Sequence, residues 1–440
     1  MKLSDMADKR SRRLLKSVAR SAATELEQLR SIPGTPKELD FFYDVLEAAF
    51  VRNAPTPMLG ARSEKKLFVG VYCMVIPEEL IYAAGAIPVR LCAGCFESSQ
   101  IGEDRVPRDG CPLVKSSMGL SMQKGLKAFD LCDVVIIPTT CDAKRKLGEE
   151  LSAFKEVWMI ETPHIKDADS SRRIWMEQMY ALKAKLEALK HNGNHGKRVN
   201  ARRMAAAIQS TARAQAEMRR LLAHRATQTP MVWGRQATAV VNAYAFCHVT
   251  RWTEALARLN DRLTAMTDDD QPVHHDDRPR IYIAGSPSIF PNLKIPTLVE
   301  EMGGIVVADE SCAGDRYLYD PVGSTEKNLN DQMLGVASRY LAPCVCPSFT
   351  PNDDRVTLIQ RMITDFAVDG VLYHVLKGCV VYDFEVSRVE NALRDNQIPL
   401  LRVETDYNPE DVEQLRTRIE AFIEMLKSKR SRAKKAASNG

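Results

Sequence analysis

Eleven cysteines are the residues in this 440-residue chain best equipped for chemistry. The N-terminus, MKLSDMADKRSRRLLKSVARSAATELEQLR, is basic and amphipathic and lacks the apolar core of a secretory signal. A cytoplasmic setting is expected, where disulfides are rare, so metal or redox chemistry becomes the leading use of the thiols. Cys73, Cys141, Cys312 and Cys379 each follow or end a short apolar run of strand type. In open parallel sheets, ligands sit beyond the carboxyl ends of the strands. Cys111 precedes Pro112, a residue suited to the first helical position. The helix dipole there favours a thiolate and an anionic group. Cys141 likewise stands between a strand and the helical segment CDAKRKLG. Thiolates converging from separate loops are what an iron–sulfur cluster requires. Three leave a reactive iron open, and four close an electron-transfer centre.

The other cysteines carry less information. Cys132 and Cys247 lie inside apolar segments and read as core filling. Cys92 and Cys95 form a lone CxxC, a weak zinc or redox signal without a second pair. Cys344 and Cys346 flank Val345 and are further candidates. There is no GxxxxGK[ST] loop, so hydrolysis of ATP by this chain is not expected, and there is neither GxGxxG after a strand nor HExxH. The eight histidines have no metal-ligand spacing, and His164 and His374 border strands as structural residues.

The elements that must position these thiols alternate. LFVGVYC (67–73), IPVRLC (87–92), CDVVIIPTT (132–140) and VWMIETP (157–163) read as strands. PEELIYAAG, the segment 111–129 and CDAKRKLGEELSAF read as helices between them. The pattern resumes with the strands RIYIAGS (280–286), IVVADES (305–311), GVLYHVLKGC (370–379) and IPLLRVETD (398–406). Helices through LVEEMGG, over 356–369 and from Pro409 onward complete it. Such alternation predicts βαβ units and parallel sheets. The stretch from about 168 to 270 is rich in Ala, Leu, Arg, Gln and Met at helical spacing and reads as a helical insertion. The two α/β parts resemble distant copies. CAG recurs at Cys92–Gly94 and Cys312–Gly314, and Cys-Pro at 111–112 and 346–347.

Composition is that of a globular protein, with 45% apolar and 27% charged residues. A net charge of +4 gives no reason to expect a nucleic-acid partner. No apolar run reaches the roughly 18 residues of a membrane helix. The expected organisation is a helical extension (1–60), a first α/β domain (61–167), a helical region (168–275), a second α/β domain (276–428) and a basic, frayed tail (429–440).

The motifs GVYCMVIPEELIYAAGAIPVRLC, RDGCPLVKSSMG and TTCDAKRK resemble those of the 2-hydroxyacyl-CoA dehydratase family, which includes benzoyl-CoA reductase subunits and double-cubane-cluster reductases. The likeness continues through ADESCAGDR, YLAPCVCPSFTPNDDR, VDGVLYHVLKGC and IPLLRVETDY, and spans about 65–425. It implies two flavodoxin-like parallel-sheet domains with a helical region. It also implies an oxygen-sensitive [4Fe–4S] cluster held between the domains. Cys111, Cys141 and Cys379 match its ligands, Cys344 competes with Cys379, and Cys73, Cys312 and Cys346 are alternates. Glu78, Lys115 and Ser116 are candidate catalytic residues, set against plain structural duties for each.

The implied reaction is removal of water from an (R)-2-hydroxyacyl-CoA through a ketyl radical. The implied partners are the acyl-CoA substrate, an activator ATPase with its own iron–sulfur cluster, and a homologous subunit or a second copy of the chain. Two alternatives stand beside it: an ATP-coupled double-cubane reductase of small molecules, and a non-catalytic partner subunit. The chain departs from the family pattern at GLKAFDLCD, where many relatives have a further cysteine, and at Ser286 in IAGSP. Both departures leave fewer thiolates for a double cubane.

Overall fold

The computed structural model describes residues 3–54, 66–191, 193–266, 278–323 and 327–438. The boundaries expected at 60/61 and 275/276 lie outside the described residues. Two four-stranded sheets form the frame, and every pairing in them is parallel. The first contains β1 (Leu67–Val71), β2 (Ala86–Arg90), β3 (Val134–Pro138) and β4 (Val157–Ile160), in the order β2-β1-β3-β4. The second contains β5 (Arg280–Gly285), β6 (Ile305–Asp309), β7 (Gly370–Leu376) and β8 (Leu400–Thr405), in the order β8-β7-β5-β6. Each sheet thus runs second–first–third–fourth, the flavodoxin-like order. The order in which strands are added reverses between β1 and β3 and again between β5 and β7. Open parallel sheets take ligands beyond the strand ends at such switch points.

Strands β1, β2, β3, β5, β6 and β7 are buried at every position, which is why they read as unbroken apolar runs. The edge strand β8 carries exposed Arg402 and Glu404. Charges on an edge discourage pairing with another chain. The outer face of the second sheet packs Ile281, Ile283, Leu372 and Val403 against the helices Lys294–Glu301 and Val412–Ser438. The other face joins one large core with the N-terminal helix Leu3–Arg30 and the helical region.

Within 168–266 stand the helices Asp169–Ala188, Ala201–Ala226, Gly234–Tyr244 and Val249–Ala265. Lys190–His191 and Asn194–His195 pair as a two-residue antiparallel ladder between the first two of these helices. The helix expected over 111–129 is two helices, Pro112–Met122 and Lys127–Asp130. Lys124 enters the left-handed region (φ 48), and the chain turns there. The last helix, Val412–Ser438, runs on into the basic tail. The helix Leu329–Leu341 leaves its own sheet and covers the first one. Met333, Val336 and Leu341 pack with Val69, Val134 and Trp175, and the Trp175 indole donates to the Ala337 carbonyl at 2.9 Å.

The helical region is fixed to the second sheet by a buried ion pair, Arg225 with Asp315 at 2.7 Å, with side chains 1% and 4% exposed. Removing one partner strands the other's charge in the core. Arg225→Met is therefore expected to cost about 3–5 kcal/mol. Urea denaturation should show this loss, and adding Asp315→Asn should return a large part of it.

Candidate functional site

The carboxyl edges of the two sheets face one seam, and the cysteines stand along it. Cys73 follows β1, Cys92 follows β2 and Cys141 follows β3, while Cys312 follows β6 and Cys379 follows β7. The repeated CAG triplets therefore occupy matching places, one after the second strand of each sheet. Cys111, Cys141 and Cys379 each directly precede a helix: Pro112–Met122, Asp142–Leu151 and Val380–Arg394.

Cys111 and Cys379 meet across the seam. The Cys379 thiol donates to Cys111 and pulls the Cys111 pKa down against its burial, assisted by the Val114 and Leu113 amides. Its own pKa is driven well up by that bond and by burial. Cys141 is near enough to both for charge to act between them. Burial raises the Cys141 thiol, and Lys144 opposes it. The contact depends on Gly378, which has φ +70. A Cβ built there would lie 2.2 Å from the Asp109 carbonyl oxygen, in the loop leading to Cys111. Only glycine lets these two loops close.

A second set lies deeper. Cys73 holds φ 76, a left-handed conformation unusual for a side chain larger than glycine. Burial pushes its thiol up, but Lys144, the Val75 amide and Arg90 outweigh that and bring it down to about 7. Burial raises the Cys346 thiol, as does Cys73 beside it. Arg90 Nη1 donates to the Cys312 carbonyl at 2.7 Å, and Nη2 lies 3.6 Å from the Cys312 sulfur. Cys344 stands in the apolar core behind the first sheet, and burial takes its thiol to about 12. Cys346, Cys73 and Arg316 are the charged neighbours of Cys344, while Cys379 is the neighbour of Cys111.

Three cations accompany these thiols. Arg90 and Arg316 are buried and Lys144 partly so. No carboxylate forms a salt bridge with any of them among the described residues. Lys144 feels Cys73, Cys141, Cys346 and Cys312. Arg316 feels Tyr382, Glu310, Cys346 and Cys312. Arg90 Nε and the Tyr407 hydroxyl are buried without a hydrogen-bond partner. Tyr407 faces Cys111, Cys92, Cys312 and Cys379. Buried donors and cations of this kind call for an anion with acceptor atoms. No three His, Cys, Asp or Glu side chains among the described residues close on a point as a single metal ion needs. Thiols beside buried cations and unpaired donors are a donor set that an anionic iron–sulfur cluster would suit.

The proposed catalytic residues have partners of their own. Glu78 is buried and accepts from the Tyr317 and Tyr244 hydroxyls, the latter at 2.7 Å, while burial raises its pKa. Lys115 Nζ is held by Glu103 at 2.9 Å and the Arg108 carbonyl at 2.7 Å. Ser116 Oγ bonds the Ala93 carbonyl at 2.7 Å and Ser98 at 2.7 Å, tying down the helix Phe96–Gly102. Ser286 Oγ accepts from the Leu376 amide at 3.0 Å and closes the end of β7. Lys144, Arg316 and Tyr382 were not singled out from sequence. A signal existed: each lies three or four residues beyond a cysteine, Cys141, Cys312 and Cys379 respectively. Tyr407 had no such signal.

Two flavodoxin-like domains joined at a cysteine-lined seam define the class of protein. The model of the 2-hydroxyglutaryl-CoA dehydratase D-component matches residues 73–426, and the chain belongs to that family. It is 34% identical over 366 residues to the putative dehydratase subunit YjiM of Escherichia coli (strain K12), covering 81% of this chain and 91% of that one. It is 21% identical to the beta subunit of (R)-2-hydroxyglutaryl-CoA dehydratase of Acidaminococcus fermentans, over 86% and 97% of the two chains. To the beta subunit of lactoyl-CoA dehydratase of Anaerotignum propionicum it is 20% identical, over 81% and 91%. No helix among the described residues is long and apolar enough to cross a membrane.

Two outcomes follow from the geometry. In metal-free protein at neutral pH, iodoacetamide should modify Cys111 faster than Cys379 or Cys344, since only Cys111 combines a lowered pKa with partial exposure. Peptide mass mapping over time reads the order. Gly378→Ala should separate the two loops, and Cys111 should then lose this advantage over Cys379 while the far-ultraviolet spectrum is kept.

Proposed function

We propose that the chain is the iron–sulfur subunit of a 2-hydroxyacyl-CoA dehydratase. In this reading, water leaves an (R)-2-hydroxyacyl-CoA by a ketyl-radical route after an activator ATPase, itself an iron–sulfur protein, delivers one electron. A homologous subunit or a second copy of the chain completes the enzyme. The observation that carries the proposal is the meeting of Cys111 and Cys379 across the seam with Cys141 beside them. These three would hold a [4Fe–4S] cluster, which supplies a low-potential electron and an iron open to the thioester carbonyl. The chain's own residues set its surroundings. Three helix N-termini point their dipoles at the thiolates, and Lys144 and Tyr407 offer a charge and a hydrogen bond. Glu78, held by Tyr244 and Tyr317, is the buried carboxyl able to keep a proton near the seam.

The deeper thiols favour a second reading. Cys73, Cys312 and Cys346 mirror the first three in number and come from both domains, with Arg90, Arg316 and Lys144 around them. Six thiolates suit a double-cubane cluster and an ATP-coupled reductase of small molecules. Iron analysis of anaerobically prepared protein separates the two, at about four irons per chain against about eight. Cys111→Ser and Cys141→Ser should each remove most of the iron in either case. Cys73→Ser should leave about four irons if the dehydratase reading holds, and should reduce the count from about eight if the second does. Full iron retention in both the Cys111 and Cys141 variants would end both readings.

A further inference from the structure

The second domain contains a cavity of about 180 Å³ beyond the carboxyl end of β6. Tyr282 from β5, Arg316, and Leu358 and Met362 of the helix Asp353–Asp365 line it. That volume holds roughly six waters at their liquid density. It is far too small for a nucleotide-bearing thioester. Two of its polar groups are buried with a bond unmade, the Tyr282 hydroxyl and Arg316 Nε. Tyr282 is 0% exposed and Arg316 6%. The rest of the Arg316 guanidinium is engaged, Nη1 with the Val345 carbonyl at 3.1 Å and Nη2 with the Tyr382 hydroxyl at 3.0 Å. Nε is therefore held in place with nothing to donate to. Native interiors rarely leave fixed donors in this condition, and a ligand is one of the few explanations.

Four carboxylates, Asp309, Glu310, Asp315 and Asp320, line the cavity beside Arg316 and Arg361. Asp315 pairs with Arg225, and Glu310 with Arg355. Asp309 and Asp320 stand in the same wall as Arg316 and Arg361. A ligand brings no advantage here by carrying a charge, and burying one would be costly. The donors ask for a carbonyl oxygen. The carboxylates of Asp309 and Asp320 ask for an N–H or O–H on the same molecule. Leu358, Met362 and Val345 leave room for a short aliphatic part.

We propose that this cavity binds a small uncharged carbonyl compound bearing an adjacent N–H or O–H donor, with its carbonyl oxygen on Arg316 Nε and the Tyr282 hydroxyl. Arg316 is shared with the cysteine seam, whereas Tyr282 and Leu358 are not, so the site is probed through those two. Lactamide (2-hydroxypropanamide) is a suitable probe for the full-length protein, read by saturation-transfer NMR and by the ligand-dependent rise in Tm. A saturable signal is expected from wild type. Leu358→Trp, which fills the cavity, should abolish it, and Tyr282→Phe should weaken it about tenfold. Lactate, similar in size but charged, should bind at least tenfold more weakly than lactamide. Iron content, measured on the same samples, should be unchanged in Tyr282→Phe, which separates this site from the cysteine seam. Absence of a saturable lactamide signal from wild type overturns the proposal, as does equal binding by Leu358→Trp. Equal affinity for lactate overturns the uncharged class. If Leu358→Trp does not fold, undiminished affinity in Tyr282→Phe decides against the site.

Discussion

Buried positive charge that no carboxylate salt-bridges, among the described residues, is the constraint around which the seam is built. Arg90 and Arg316 are taken out of water, and Lys144 partly, at a cost of several kcal/mol for each buried ion. Thiols are the groups placed to repay it. That is why Cys73 is pulled down to about 7 although it is buried. Cys132, in the apolar core away from these cations, stays high at about 12. One protein thus contains inert and reactive thiols a few residues apart, distinguished by what faces them rather than by exposure.

The seam is held closed by a carboxylate pair. Glu78 and Glu79 come from the first domain. Thr211 and Tyr244 reach them from the helical region, and Tyr317 and Tyr340 from the second domain. Tyr317 in turn lies under the Arg90 guanidinium, 4.8 Å from ring centroid to cation. A change at Glu78 is therefore felt by three parts of the chain and, through Tyr317, by the cation beside Cys312. Packing and site chemistry share the same atoms here, so a variant at Glu78 reports on both.

Much of the frame was legible in sequence, and for a definite reason. Strands of a sheet covered on both faces appear as apolar runs, and six of the eight here are buried at every position. Cysteines at the ends of those runs could be assigned to the carboxyl edges. The choice between Cys379 and Cys344 could not be made, because it depends on how the second domain faces the first. Arg90 was hidden for a different reason: one charge closing a strand looks like an ordinary boundary. The crossing of Leu329–Leu341 was also hidden. Periodicity shows which face of a helix is apolar but not which sheet will cover it.

That crossing bears on how the chain is made. The first sheet is complete in sequence at Ile160, yet part of its cover is Met333, Val336 and Leu341. Ribosomes add roughly 5–20 residues per second. The apolar face over Val69 and Val134 therefore waits roughly ten seconds or more for its last partner. During that interval the nascent chain presents a bare hydrophobic surface, the kind of surface that holdase chaperones bind. The first domain therefore cannot mature ahead of the second, and the thiols of Cys73 and Cys141 become a finished site only when nearly the whole polypeptide has emerged.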